Sequence, residues 1–162
     1  MDEPEGLTEW AQLQVPAAMR EDPIWRLPAY RFSLFLGDQL QAEEPRLRRF
    51  ATKRTVDQLL DAAQSISSNI AEGYSRTTGP DRAKFYEYAN SSARETRDWL
   101  FKARRAVTPE KAYAYIQLVT RIMMILTAII PREREMPNAR ARRKKRTRRD
   151  GSTSESEGAP NA

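Results

Sequence analysis

The chain contains no cysteine and no histidine among its 162 residues. Without cysteine it can form no disulfide and perform no thiol chemistry, a composition that fits a reducing compartment such as the cytoplasm. Without histidine it lacks the usual general base and the commonest metal ligand. We therefore predict a cytoplasmic protein that is not an enzyme and uses no cofactor or metal.

Glycine and long apolar runs are also scarce. The chain has six glycines, and its most hydrophobic window, residues 115–130, is short and contains Arg121. Because a membrane-spanning helix needs about 20 apolar residues, we predict no membrane insertion. The first ten residues are acidic and lack an apolar run, so they do not match a secretory signal.

Positive charge is concentrated toward the C-terminal end. Residues 132–162 carry ten basic and five acidic side chains, and segment 138–149 contains eight cations and no acid. We predict that these cations bind RNA or another nucleic acid through its backbone, because no aromatic residue accompanies them to stack on bases. A solubilising tail is the alternative. The eight cations are Arg140, Arg142, Arg143, Lys144, Lys145, Arg146, Arg148 and Arg149.

The residues between Val56 and Arg76 fall on separate stripes of a predicted helix. Apolar residues repeat at three- and four-residue steps from Val56 to Ile70, which indicates a core-facing surface. A second stripe carries short polar or small side chains, and it predicts a close helix crossing with hydrogen bonds across the contact. This second stripe consists of Gln58, Ala62, Ser65 and Asn69.

The same segment carries a family resemblance. The sequence NIAEG lies at residues 69–73, after the second stripe. The next helix carries the pattern F-x3-A-x2-S-x2-E at Phe85, Ala89, Ser92 and Glu95. Together these motifs resemble those of the four-helix-bundle proteins of 23S ribosomal RNA intervening sequences. That family is related to accessory proteins of diversity-generating retroelements and has no established enzymatic activity. The motif residues with an expected structural role are Gln58, Ala62, Ser65, Asn69, Glu72, Gly73, Ser92 and Glu95.

The resemblance covers residues 27–130 and implies a homo-oligomer, with a ring-shaped pentamer as the assembly of the retroelement relatives. It also implies a reverse transcriptase or another protein complex as a partner. The chain departs from the family pattern at Asp61, Ser67 and Ser91, where Arg, Pro and Gly are common. The exchange at Asp61 reverses a charge beside the motif and bears on any anion contact there.

Two interpretations of Asn69 and Glu72 stay open. They can contact a ligand or RNA, or they can serve the fold, with Asn69 as a hydrogen-bonding partner and Glu72 paired to Arg76 at the i, i+4 spacing. Gly73 is expected to end the helix.

The helical patterns and short links predict an all-α fold, an antiparallel up-and-down four-helix bundle with disordered N- and C-terminal extensions. We divide the chain into an acidic, proline-containing arm (1–26), the bundle (27–131), and a basic, then Ser/Glu-rich tail (132–162). Predicted helices cover 28–42, 54–74, 81–106 and 109–131, with Pro45 ending the first and a basic connector before the second. The predicted inward face of the third helix is Phe85, Tyr88, Ala89, Ser92, Thr96, Trp99 and Ala103. The predicted inward, largely apolar stripe of the fourth helix is Ala112, Tyr115, Ile116, Val119, Ile122, Met123, Leu126 and Ile129.

Two basic clusters should meet at one end of such a bundle. One precedes the second helix and the other lies at the end of the third, so they can bind phosphates or be solvated helix ends. The first cluster is Arg46, Arg48, Arg49, Lys53 and Arg54, and the second is Lys102, Arg104 and Arg105.

The sequence supports two function classes. The leading hypothesis is a non-enzymatic RNA-associated or scaffold protein that binds polyanion through its basic tail and basic bundle end, with oligomerisation multiplying weak contacts. The alternative is an accessory subunit that docks on a larger protein assembly through its terminal extensions.

Overall fold

The computed structural model describes residues 3–136, and the regular structure of this part is entirely helical. The prediction of an all-α protein is confirmed, but the described residues form seven α-helices where four were expected. They are α1 (Leu7–Gln14), α2 (Ala17–Glu21), α3 (Pro28–Ala42), α4 (Glu44–Phe50), α5 (Lys53–Tyr74), α6 (Gly79–Ala103) and α7 (Pro109–Glu135). Two 3₁₀ turns cover Pro23–Arg26 and Arg104–Ala106.

Four of these helices enclose the core. Helix α5 packs on α6, α6 packs on α7, and α3 contacts both α5 and α7. Leu36, Ile66 and Leu126 have no exposed surface at this centre. The predicted apolar stripes of α5 and α7 are therefore confirmed, because residues three and four positions apart share a helix face.

Threonine caps set the starts of the long helices. The hydroxyl oxygen of Thr52 accepts a hydrogen bond from the backbone N–H of Thr55 at 3.2 Å, and Thr78 and Thr108 do the same for α6 and α7. These contacts satisfy backbone donors that have no partner inside the helix. Thr108 caps α7, and Asp81 lies in the first turn of α6.

The expectation of a disordered N-terminal arm is wrong for the described residues. Leu7, Val15 and Ile24 are buried, and the Trp10 ring lies 5.3 Å from the Phe35 ring, centroid to centroid. Burial of this apolar surface stabilises the arm on α3. Its prolines lie before or at the starts of helical segments, where proline is tolerated, so they do not oppose helix formation.

Two helix boundaries that were predicted from prolines are wrong. Pro45 lies in the first turn of α4, so the expected basic connector is partly a helix. Pro131 lies inside α7, which continues to Glu135 although proline cannot donate the helical hydrogen bond. An ion pair between Arg82 and Glu133, 2.7 Å from Nε to Oε2, holds this last turn against α6.

The length and composition of α7 would also allow it to cross a membrane, a property shared with core helices of other proteins. In this fold Leu118, Val119 and Ile122 are buried in the core formed with the other long helices. The apolar character of α7 is thus used in helix packing.

Candidate polyanion-binding surface

The turn from α4 into α5 lies beside the C-terminal end of α6. The Nε of Arg46 donates a hydrogen bond to the Ala106 carbonyl oxygen at 3.2 Å. Ala51 adopts an extended backbone conformation, and Thr52 then caps α5. The cations of the first cluster are therefore held next to those of the second, and we call the two clusters together the basic end.

Part of this positive charge is neutralised locally. Arg48 contacts Glu44 at 2.7 Å and Asp57 at 3.0 Å, and Lys53 contacts Asp57 at 2.6 Å. Hydrogen bonds from Lys53 and then Arg48 lower the pKa of Asp57, while hydrogen bonds to Glu44 and Asp57 raise the pKa of Arg48. Lys102 is likewise paired with Asp98 at 2.5 Å.

The remaining cations of the basic end have no carboxylate within ion-pair distance among residues 3–136. The guanidinium of Arg49 lies 5.3 Å from the centre of the Phe50 ring, and that of Arg104 lies 4.0 Å from the Phe101 ring. Such unpaired charges are available to an external anion without the loss of an existing ion pair. The cations of the basic end in this group are Arg46, Arg49, Arg54, Arg104 and Arg105.

A groove of about 490 Å³ lies between the two halves of the basic end. Arg49 and Phe50 line it from the end of α4, and Lys102 and Arg105 line it from the end of α6 and the turn after it. Thr52 and Thr55, whose hydroxyl oxygens are 2.8 Å apart, also line it. Cations and hydroxyl donors around a concave surface can bind phosphate oxygens.

Phe50 is a residue of this groove that sequence reasoning missed, as it missed Thr52 and Thr55. Its side chain is 61% exposed, whereas a phenylalanine beside a helical pattern is more often part of the core. The run RLRRFATK offered a signal, because an aromatic residue interrupts a basic segment. Only the fold shows that this ring lies in a groove with cations from the end of α6 and the turn after it.

The polar stripe of α5 does not form the expected bonds across a helix crossing. Ser65 Oγ donates to the Asp61 carbonyl oxygen and Asn69 Nδ2 to that of Ser65, both at 2.8 Å and both within α5. Gln58 is exposed, and Ala62 is buried. Hydroxyl and amide groups on a helix can bond to the preceding turn, and this competes with bonds between helices.

Three other motif residues have local roles. Glu72 pairs with Arg76, as the second of its two interpretations expects, and Glu95 accepts a hydrogen bond from Trp99 Nε1 at 3.3 Å within α6. The carbonyl oxygen of Ser92 accepts from the Thr96 hydroxyl at 2.8 Å. These contacts support helix structure and do not converge on a shared site.

Two further predictions about α5 and α6 are wrong. Gly73 does not stop α5, because it is a buried helical residue and the helix continues to Tyr74. Tyr88 is 46% exposed, while Tyr86 is buried in its place. The eight tail cations, Arg140 to Arg149, lie outside the described residues.

Comparison with known proteins identifies the family. No curated protein matches the chain. The 23S rRNA-intervening sequence protein family matches residues 33–128, which is more than half of the sequence and covers α5, α6 and most of α3 and α7. The chain therefore belongs to the 23S rRNA-intervening sequence protein family.

Proposed function

We propose that this protein is a non-enzymatic RNA-associated scaffold whose basic end binds the phosphate backbone. The observation that carries the proposal is the meeting of two basic clusters from distant parts of the chain around one groove. Five cations of this end lack an ion-pair partner in the described part of the chain. Clustered cations on one surface are the electrostatic signature of nucleic-acid binding.

The proposed architecture is an antiparallel up-and-down four-helix bundle of α3, α5, α6 and α7. The contacts α3–α5, α5–α6, α6–α7 and α7–α3 support it. Arg82 near the start of α6 pairs with Glu133 near the end of α7, and Asn90 lies 3.5 Å from Thr127, as expected for opposite helix directions. The bundle presents the basic end as a rigid surface.

The family adds support for an RNA association. Its name refers to sequences that interrupt 23S ribosomal RNA. The resemblance to retroelement accessory proteins extends the proposal to a homo-oligomer, with a pentamer as one form and a reverse transcriptase as one partner. An oligomer would present several basic ends to one polyanion and so raise the effective concentration of each contact.

The absence of cysteine and histidine supports a non-enzymatic role. Within residues 3–136, no cluster of three or more acidic side chains is placed to hold a metal ion.

A charge-reversal experiment tests the proposal. We expect Arg49→Glu combined with Arg105→Glu to weaken RNA binding. The negative slope of log K against log salt should also become shallower, by about one per lost phosphate contact. Filter binding across a salt series measures both quantities. The matched control is Arg94→Glu combined with Arg132→Glu, which changes the net charge equally at exposed positions away from the groove. Equal loss in the two variants would contradict a localised site.

An accessory docking subunit is the second candidate. Leu13 on α1 is 71% exposed, so the folded N-terminal arm presents an apolar side chain to a partner. Pull-down from lysate with and without nuclease separates the candidates. A protein partner that survives nuclease and is lost after Leu13→Glu supports docking, whereas complete loss after nuclease supports RNA association.

A further inference from the structure

Phe50 is an exposed aromatic side chain in a cationic groove. Its ring is 61% exposed and makes no aromatic pair among the described residues. It does not belong to the core cluster, so the packing of the helices does not account for it. Exposure of a phenyl group to water is unfavourable, and a ligand that covers the ring would recover that free energy.

The groove has the dimensions of a small-ligand site. Its volume of about 490 Å³ is within the range of pockets that hold small molecules. A single nucleotide can enter such a space. Stacking on an aromatic ring requires a base with a free face, which an unpaired strand offers and the interior of a duplex does not.

The charges around Phe50 match this occupant. Arg49 lies over the ring at 5.3 Å, and Arg105, which also lines the groove, has no ion-pair partner in the described residues. Thr52 and Thr55 add hydroxyl groups. Proteins that bind single strands combine cations along the backbone with aromatic rings on which bases stack.

We propose that the groove binds single-stranded nucleic acid, with a base stacked on Phe50 and the adjoining phosphates held by Arg49 and Arg105. This inference rests on the proposed RNA association and specifies its ligand. Stacking is tolerant of base identity because every base has a flat aromatic face, so the site would select unpaired strands of any sequence.

The test uses the full-length protein and a single-stranded RNA that contains one 2-aminopurine, whose fluorescence falls when it stacks. Phe50→Ala should abolish the quenching and weaken single-strand binding by between about 5-fold and 100-fold. Binding to a duplex of the same sequence should change little. Phe50→Trp should retain quenching, and Phe50→Leu should lose it, which separates stacking from apolar packing.

Phe101→Ala is the matched control. Phe101 is 56% exposed and also lies beside an arginine, but it does not line the groove. The same quenching and affinity in this variant as in the native protein would support the assignment to Phe50. An equal loss in both variants would overturn it.

Three other results would also overturn the inference. If Phe50→Ala keeps full quenching and affinity while the Arg49/Arg105 charge reversal still weakens binding, the basic end binds RNA without stacking. If the native protein binds neither strand form, the proposed function fails together with the inference. If Phe50→Ala reduces binding to phosphatidylserine vesicles and leaves RNA binding unchanged, the exposed ring serves a membrane surface.

Discussion

The backbone of Gly73 on α5 lies directly against the ring of Tyr86 on α6. A Cβ atom at position 73 would come within 2.9 Å of Tyr86 Cε1 and within 3.0 Å of Phe85 Cβ. Real Cβ atoms do not approach heavy atoms this closely, so the two helices can cross here only with glycine. The glycine of the family motif is thus explained by helix packing, and its φ angle is not positive.

Gly73→Ala should destabilise the fold. The methyl group forces Tyr86 or the α5–α6 crossing to move, and we expect a loss of about 1–3 kcal/mol in the free energy of unfolding. Urea denaturation measures it. Gly37→Ala is the control, because nothing lies within 4 Å of a Cβ there and alanine in the interior of α3 should add about 0.5–1 kcal/mol. A neutral Gly73→Ala would contradict the close crossing.

Glu133→Gln should destabilise the last turn of α7. Glu133 and Arg82 are only 19% and 22% exposed, and the guanidinium of Arg82 also donates to the Arg76 carbonyl oxygen at 2.9 Å. Loss of this charged hydrogen bond should cost about 1.5–3 kcal/mol in urea unfolding. Glu72→Gln breaks the exposed pair with Arg76 and should cost less than about 0.5 kcal/mol. Similar costs for the two variants would show that burial does not strengthen the Arg82 pair.

Asp57→Asn should remove a pH-dependent part of the stability. Hydrogen bonds from Lys53 and Arg48 lower the pKa of Asp57 in the folded state, so its contribution is present above the unfolded pKa of about 3.9. That contribution is lost as the pH falls through the folded pKa. Urea unfolding from neutral to acidic pH should therefore show the native protein and the variant converging in acid. A constant difference across this range would assign the effect of the substitution to another cause.

Deletion of residues 138–162 should weaken RNA binding and flatten its salt dependence. The segment contains eight cations. Each phosphate contact releases counterions from the nucleic acid, so a protein that makes fewer contacts releases fewer counterions on binding. Thermal melting should stay unchanged, because the segment has no large apolar side chain to add to a core. A truncated protein with the native affinity and salt slope would place the whole interaction on the basic end of the bundle.

The sequence predicted the parts of the fold that depend on local periodicity. The apolar stripes of α5 and α7 and the start of α7 at Pro109 follow from residue spacing and capping chemistry, which neighbouring residues determine. The sequence also placed the two basic clusters at one end, because short links between amphipathic helices limit how those helices can be connected. The groove between the clusters was not predictable, since its walls belong to segments about fifty residues apart.

Local patterns determined that the described part of the chain is helical and which stripes of α5 and α7 are apolar, because hydrophobic spacing and caps act within a few residues. Only the tertiary structure decided the order of the N-terminal arm, the reason for Gly73 and the exposure of Phe50. Each of these depends on a partner distant in sequence. Trp10 is ordered by packing on Phe35, Gly73 is required by Tyr86, and Phe50 lies beside cations that α6 and the turn after it supply. Burial and close approach are properties of the assembled helices, and no single segment encodes them.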